Sequence, residues 1–189
     1  MYKKILFSIL AVFLVFSLIG CSGETPEQSP GKQEENANKP AADLKQTLKD
    51  EYGYDFTVQD FLTAIMVGDT KAVRTFLDAG MDPDSQGTPD WPVMYNAISA
   101  NSPEIVSLLI DYGADVAYEY KDGGNYLWYG VMNKAENATL DALLAGGVDL
   151  NYSLDGDNSY DVAQGQLQYD AEYQRLIDYL AEKGLQPLG

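Results

Sequence analysis

The sequence predicts an all-α solenoid of about four helix-turn-helix repeats joined by hairpin-like loops, preceded by a disordered tether. Three observations predict it. A short apolar helix ending in glycine and then an acid recurs as "AVRTFLDAGMD" (72–82), "IVSLLIDYGAD" (105–115) and "TLDALLAGGVD" (139–149). The small residues Ala64, Ala97, Gly130 and Ala163 fall 33 positions apart, an independent landmark with the same period. Residues 22–42, SGETPEQSPGKQEENANKPAA, hold no large apolar side chain and cannot bury enough surface to fold.

The chain opens on Lys3 and Lys4, followed by Ile5 to Ile19, which is apolar except for Ser8 and Ser17. A membrane-spanning helix needs about 20 residues, so this shorter run reads as the core of a signal peptide over residues 1–20. It ends in Leu18-Ile19-Gly20-Cys21, and Cys21 is the only cysteine in the chain. That ending resembles the lipobox of bacterial lipoproteins. The resemblance implies lipidation at the Cys21 sulfur, removal of the preceding residues, and acylation of the new N-terminus. One acyl chain binds a bilayer marginally and two bind it stably. It implies a lipid-anchored protein of the bacterial cell envelope, on the outer face of the membrane or on a periplasm-facing outer membrane. Ser22, where an Asp would retain the protein at an inner membrane, permits the second location. A free or buried cysteine behind an uncleaved anchor helix is the alternative.

Residues 21–42, the lipidated cysteine and tether, would reach roughly 25 Å as a flexible coil. Leu44, Leu48 and Tyr52 then recur every four residues, which predicts an N-terminal capping helix within 43–56. At Phe56-Thr57-Val58-Gln59-Asp60-Phe61 a second helix starts. Thr57 is placed to accept the Asp60 amide, and Phe56 to pack on Phe61 across the cap.

The repeat region spans 57–189. Each unit pairs a first helix carrying the small residue with a second helix stopped by Gly80, Gly113 or Gly147, where a left-handed cap belongs. Ser102-Pro103-Glu104 offers a cap, a first-turn proline and an acid at the positive helix end. This pattern is similar to that of ankyrin repeat proteins over about 57–184. "SPEIVSLLIDYG" (102–113), "GADV" (113–116) and "GDTKAVRTFLDAG" (68–80) are the closest stretches. The family's Thr-Pro-Leu-His-x-Ala opening is degraded to Pro92-Val93-Met94-Tyr95-Asn96-Ala97 and Asn125-Tyr126-Leu127-Trp128-Tyr129-Gly130. In the last unit Tyr160-Asp161-Val162-Ala163 survives, and the second helix is longer and offset, as a terminal capping unit requires.

Composition narrows the function. The chain has no histidine, and a lipidated Cys21 leaves no thiol, so histidine bases, Ser-His-Asp triads and Cys/His metal sites drop out. No cofactor, metal or catalytic residue is expected, and the chain does not read as an enzyme. The formal net charge is −17, and a chain starting at Cys21 loses two lysines and no acid, giving −19. Such a surface repels nucleic acid and anionic lipid and favours a partner with a basic surface.

The resemblance to ankyrin repeats implies a protein-binding scaffold. Aromatic residues concentrate around the second and third units, where Tyr and Trp supply contact area at low entropic cost. The candidate partner-binding residues are Asp90, Trp91, Tyr95, Tyr118, Glu119, Tyr120, Asp122, Tyr126 and Trp128. Trp91, Tyr118 and Tyr120 fall in loops and are expected to be exposed, whereas Tyr95 and Trp128 are as suited to the core as to the surface. Membrane-anchored binding of a protein, as an inhibitor or immunity-type protein, is the leading expectation; stacking on cell-wall glycan is the alternative. Asn151, Ser153, Asp155 and Gly156 partly mimic a calcium loop, but Val162 stands where a bidentate Glu belongs. The same residue types also supply turn chemistry.

Overall fold

A computed structural model describes residues 38–87, 91–121 and 123–188. Cys21, the signal peptide and most of the tether lie outside the described residues, as do Asp90 and Asp122.

Helix α1 (Ala41–Thr47) begins two residues before the expected 43 and widens into a π turn, Leu48–Tyr52, closed by Gly53 at φ +77. Leu44 and Leu48 are buried and Tyr52 is partly so, as their spacing predicts. Four helix pairs follow: α2 (Val58–Met66) with α3 (Thr70–Asp78), α4 (Val93–Ser99) with α5 (Pro103–Asp111), α6 (Tyr126–Met132) with α7 (Asn137–Ala145), and α8 (Ser159–Gln166) with α9 (Tyr173–Glu182). The first helices α2, α4, α6 and α8 contact one another in sequence order. Helix α1 heads the second row by packing on α3, which meets α5, which meets α7. The fold is an ankyrin-like solenoid with a small hairpin, β1 (Ser153–Leu154) and β2 (Asp157–Asn158).

The periodic residues have periodic jobs. Ala64, Ala97 and Ala163 are fully buried and Gly130 is buried, and a Cβ on Gly130 would sit 2.6 Å from Leu140 of α7, so α6 and α7 approach closely there. The backbone of three of them also ends its helix: the Asp69, Ser102 and Ala135 amides donate to the Ala64, Ala97 and Gly130 carbonyls at 2.9, 3.1 and 2.8 Å. Gly68, Asn101 and Lys134, 33 apart, supply the left-handed residue this closure needs. The second helices close alike. Gly80, Gly113, Gly147 and Gly184 are left-handed, and the next residues Met81, Ala114, Val148 and Leu185 donate back five positions at 2.9 to 3.1 Å. Each of those four side chains is buried, sealing the core beneath the turn.

Two local expectations change, and the fourth unit departs from the pattern of the other three. Thr57 does cap α2, accepting the Asp60 amide at 3.1 Å, but Phe56 and Phe61 both pack on Phe76, with centroids at 6.0 and 5.3 Å. Ser102 occupies the cap position of α5 without a side-chain cap bond, so Pro103 and Glu104 are left to favour that helix start. The fourth unit drops the left-handed link: Leu167 continues in helical conformation, donates to Ala163, and a longer connection leads to α9.

Residues 151–158 take the turn role. The Asn151 amide donates to Asp149, Asp155 and Gly156 have φ of +54 and +96, and Ser153 pairs with Asn158. Two positive-φ residues between paired strands make a type I′ hairpin. Asn158 then caps α8 in a reciprocal box with Asp161. Among the described residues, no three acidic or cysteine side chains converge as a metal site.

Candidate partner-binding surface

The three loops that join successive units project as fingers. The first is a hairpin-like return in which the Gly87 amide donates to Trp91 and the Val93 amide to Ser85, both at 2.9 Å. The second turns at Tyr120–Gly123, with the Gly123 amide donating to Tyr120 at 2.8 Å. The third is the β1–β2 hairpin.

Neighbouring fingers are tied together. The Asp115 amide donates to Asp84 at 2.9 Å across the first pair. Across the second, the Gly124 amide donates to the Tyr152 hydroxyl at 3.0 Å and the Asn125 side chain to the Asp149 carbonyl at 2.8 Å. Leu154 lies over Gly123 so closely that a Cβ there would sit 2.4 Å from it. Side chain–backbone bonds of this kind hold the fingers as one preorganised edge.

Where the first two fingers meet the first helices, four rings lock together. Trp91 lies 4.2 Å from Tyr95 and 4.0 Å from Tyr120, centroid to centroid, and is nearly parallel to Tyr120. Tyr120 stacks on the indole and Tyr95 packs against it at a tilt of 40°. Tyr129 stands edge-on to all three, at 5.3, 5.5 and 5.8 Å. Edge-to-face and offset stacking are the favoured aromatic geometries. The cluster therefore joins two loop residues to α4 and α6.

The expected site residues divide accordingly. Trp91, Tyr95 and Tyr120 come together, each half-buried rather than freely exposed. Glu119 is exposed beside them, and Trp128 is half-buried against Gly124. Tyr118 is half-buried and stacks on Tyr126 at 5.8 Å. Tyr126 itself is a correction: at 2% exposed it cannot contact a partner. It is the first residue of α6, and its equivalents Val93 and Ser159 are also buried. Its hydroxyl makes no hydrogen bond, and burial, with Asp84 and Tyr118 adding to it, pushes its pKa up. Tyr129 and the exposed ends of the first helices were missed as site residues.

Those first helices have an uncommon surface for so acidic a chain. Helices α4 and α6 contain no charged residue. Helices α2 and α8 contain one each, Asp60 and Asp161, and both accept backbone amides at the helix starts. Met66, Val67 and Met132 are 64, 67 and 43% exposed at the other end. The fingers alongside are acidic, with Asp82, Asp115, Glu119 and Asp149 all exposed.

Comparison with known proteins agrees with this architecture. Residues 61–153 match the family model of ankyrin repeats, in three copies. A stretch of 62 residues, 32% of the chain, is 39% identical to the human "Ankyrin repeat, SAM and basic leucine zipper domain-containing protein 1". A stretch of 79 residues, 41% of the chain, is 37% identical to the phosphocholine transferase AnkX of Legionella pneumophila subsp. pneumophila. These matches span only 13% and 8% of those proteins. Ankyrin repeats are a protein-binding architecture that is typically non-catalytic, stacking repeats into an extended binding surface.

Proposed function

We propose that this chain is a membrane-anchored protein-binding scaffold of the bacterial cell envelope. It captures a partner with a basic surface and acts as an inhibitor or immunity-type protein. The observation that carries the binding surface is the Tyr95–Trp91–Tyr120 stack over Tyr129, which fixes two fingers and the first helices into one corner. A corner held by packed rings loses little entropy on binding, and that favours affinity. Glu119 and the acidic fingers beside it match a basic partner in charge.

The anchoring half of the reading is supported by Leu18-Ile19-Gly20-Cys21 behind a short apolar run. Cys21→Ser should shift the protein from the membrane fraction to the soluble fraction or leave it unprocessed. A variant that stays processed and membrane-bound overturns the anchor. For the binding half, chemical crosslinking of intact cells should capture one protein reproducibly. Reversal of Asp90, Glu119 and Asp122 to Lys should abolish that capture; capture that persists unchanged overturns the surface.

Glycan binding is the rival reading. Sugar stacking needs an open ring face, and Trp91, Tyr95 and Tyr120 are each half-buried in the ring cluster. Retention on purified wall polymer that survives high salt would favour it over acid-to-base pairing.

A further inference from the structure

The seams between successive units are not built alike. Between the second and third units, α5 packs directly on α7, so closely that a Cβ on Gly146 would sit 2.4 Å from Ile110. Between the third and fourth, α9 packs on α8, and its backbone makes little approach to α7. Long polar side chains span that gap. The Tyr179 hydroxyl donates to Asp141 at 3.0 Å, and Lys183 pairs with the same carboxylate. The Arg175 guanidinium donates to Asn137 at 2.5 Å and to the Lys134 and Ala135 carbonyls at 3.2 and 3.1 Å. Beside it the Tyr173 hydroxyl donates to the Met132 carbonyl at 3.1 Å. Carbonyls at a helix end lack intrahelical partners, so α9 and its arginine cap the end of α6. At the matching turn of the second unit, Asn101 accepts the Glu136 amide at 2.8 Å, a bond to backbone rather than a clasp of side chains.

The unpaired polar groups lie in the same half of the solenoid. Among the described residues, the buried side-chain groups without a hydrogen-bond partner are the hydroxyls of Tyr126, Thr139 and Ser159. All three belong to the third and fourth units. Their counterparts in the second unit are apolar and fully buried: Val93 for Tyr126 and Ser159, Ile105 for Thr139. An orphan hydroxyl gives up water without replacing it, so each one weakens its own unit. The ion pairs of this seam are exposed and contribute little.

In a repeat protein, stability is nearly a sum of each unit's own contribution and that of its seams. The third seam combines a standoff between second helices, exposed polar struts and orphan hydroxyls on both sides. It therefore has the least to lose on opening. We infer that the fourth unit is a hinged segment: α8 and α9 open from the third unit as one body while the first three units stay folded, and Arg175 is the clasp that holds them shut. Leu176 and Leu180 are fully buried, and their packing keeps the opening rare. The ring corner stands on α4, α6 and the first two fingers, outside the opening part. Sub-global opening of this kind leaves a cooperative block intact.

The test reads hydrogen exchange, amide by amide, on the full chain in detergent micelles. Leu185 and Met81 close their second helices with the same backbone bond, at 3.0 and 2.9 Å, and both side chains are buried. A difference between them therefore reports the unit and not the local bond. After correction for intrinsic rates, the Leu185 amide should exchange about tenfold faster than that of Met81, or more. Arg175→Ala should speed Leu185 by about tenfold, since charge-assisted bonds to carbonyls are lost. Ser159→Ala deletes one orphan and should slow Leu185 by about threefold. Val73→Ala, on the buried face of α3, should speed Met81 and leave Leu185 unchanged, because opening the fourth unit does not break the first. Equal protection of the two amides in the unaltered chain overturns the inference. So does acceleration of Leu185 by Val73→Ala or by Ser159→Ala, or a Leu185 amide indifferent to Arg175→Ala. Should Arg175→Ala fail to fold, the Val73 and Ser159 variants still decide.

Discussion

The first and second helices of each unit both contribute to the core but present different surfaces to solvent. Helix α5, PEIVSLLID, buries Ile105, Val106, Leu108 and Leu109 and turns Glu104, Ser107 and Asp111 outward. Helix α6, YLWYGVM, buries Tyr126, Leu127, Gly130 and Val131 and turns Tyr129 and Met132 outward. Both satisfy the same stacking requirement, so the difference is not needed for folding. The second row is stitched by an exposed ion pair, Lys183 to Asp141 at 2.5 Å, and Lys134 to Asp170 at 2.8 Å ties the end of α6 to the connection before α9. The first row and its fingers are held by packed rings and backbone bonds. Surface charge keeps a repeat protein soluble, and it is concentrated on one row alone.

The largest break in this comparison is Trp91→Ala. It removes the middle ring of the stack and leaves Tyr95 and Tyr120 facing a void. Buried Trp-to-Ala changes cost more, but for this half-buried indole the expected loss is about 2–3 kcal/mol in urea unfolding. Hydrogen exchange should quicken at the Gly87 and Val93 amides, which the first finger protects. Helices α5 and α7 should be untouched. Equal acceleration in both rows would show that the ring corner is part of a common core, not a separate device.

Much of this was legible in the sequence, for a physical reason. Backbone turns and close helix approaches leave single-residue marks at a fixed period: Gly80, Gly113 and Gly147 for the left-handed closure, Ala64, Ala97 and Gly130 for the approach. The ring partners were not legible. Trp91 and Tyr120 come from different loops, and no local pattern says which rings meet. Tyr126 was misplaced because aromatic richness was read as surface, although its position at the start of α6 matches buried Val93. The uncharged first helices were visible in VMYNAIS and YLWYGVM, but a lack of charge reads as core until the exposed ends are seen.

Tyr126 gives the next prediction, of opposite sign. Its hydroxyl is buried without a partner, and such a group costs about 1–3 kcal/mol. Tyr126→Phe keeps the ring against Tyr118 and deletes the orphan, so it should stabilise the chain by about 1 kcal/mol, read as a higher urea midpoint. Binding of a partner at the finger corner should be unchanged, since the residue is covered. A destabilised Phe variant would mean that the hydroxyl finds a partner in solution, and would return Tyr126 to the working surface.

The smallest effect belongs to the charged row and is the one that salt can erase. Lys183, with the Tyr179 hydroxyl at 3.0 Å, holds the Asp141 carboxyl below the usual carboxylate range. A depressed folded pKa contributes stability that is present above the unfolded value and lost as pH falls through the folded one. Unfolding midpoints should therefore drop as pH is lowered below about 4, the ordinary Asp value, and Asp141→Asn should remove that part of the drop. At pH 7 the substitution should cost about 0.5 kcal/mol or less, because both side chains are exposed. Raising salt from about 0.1 to about 1 M should shrink even that, as the screening length falls from about 10 to about 3 Å. Trp91→Ala should keep its full cost in the same salt, since ring packing is not screened. If the two variants respond to salt alike, the first row is held by charge after all, and the contrast between the two faces fails.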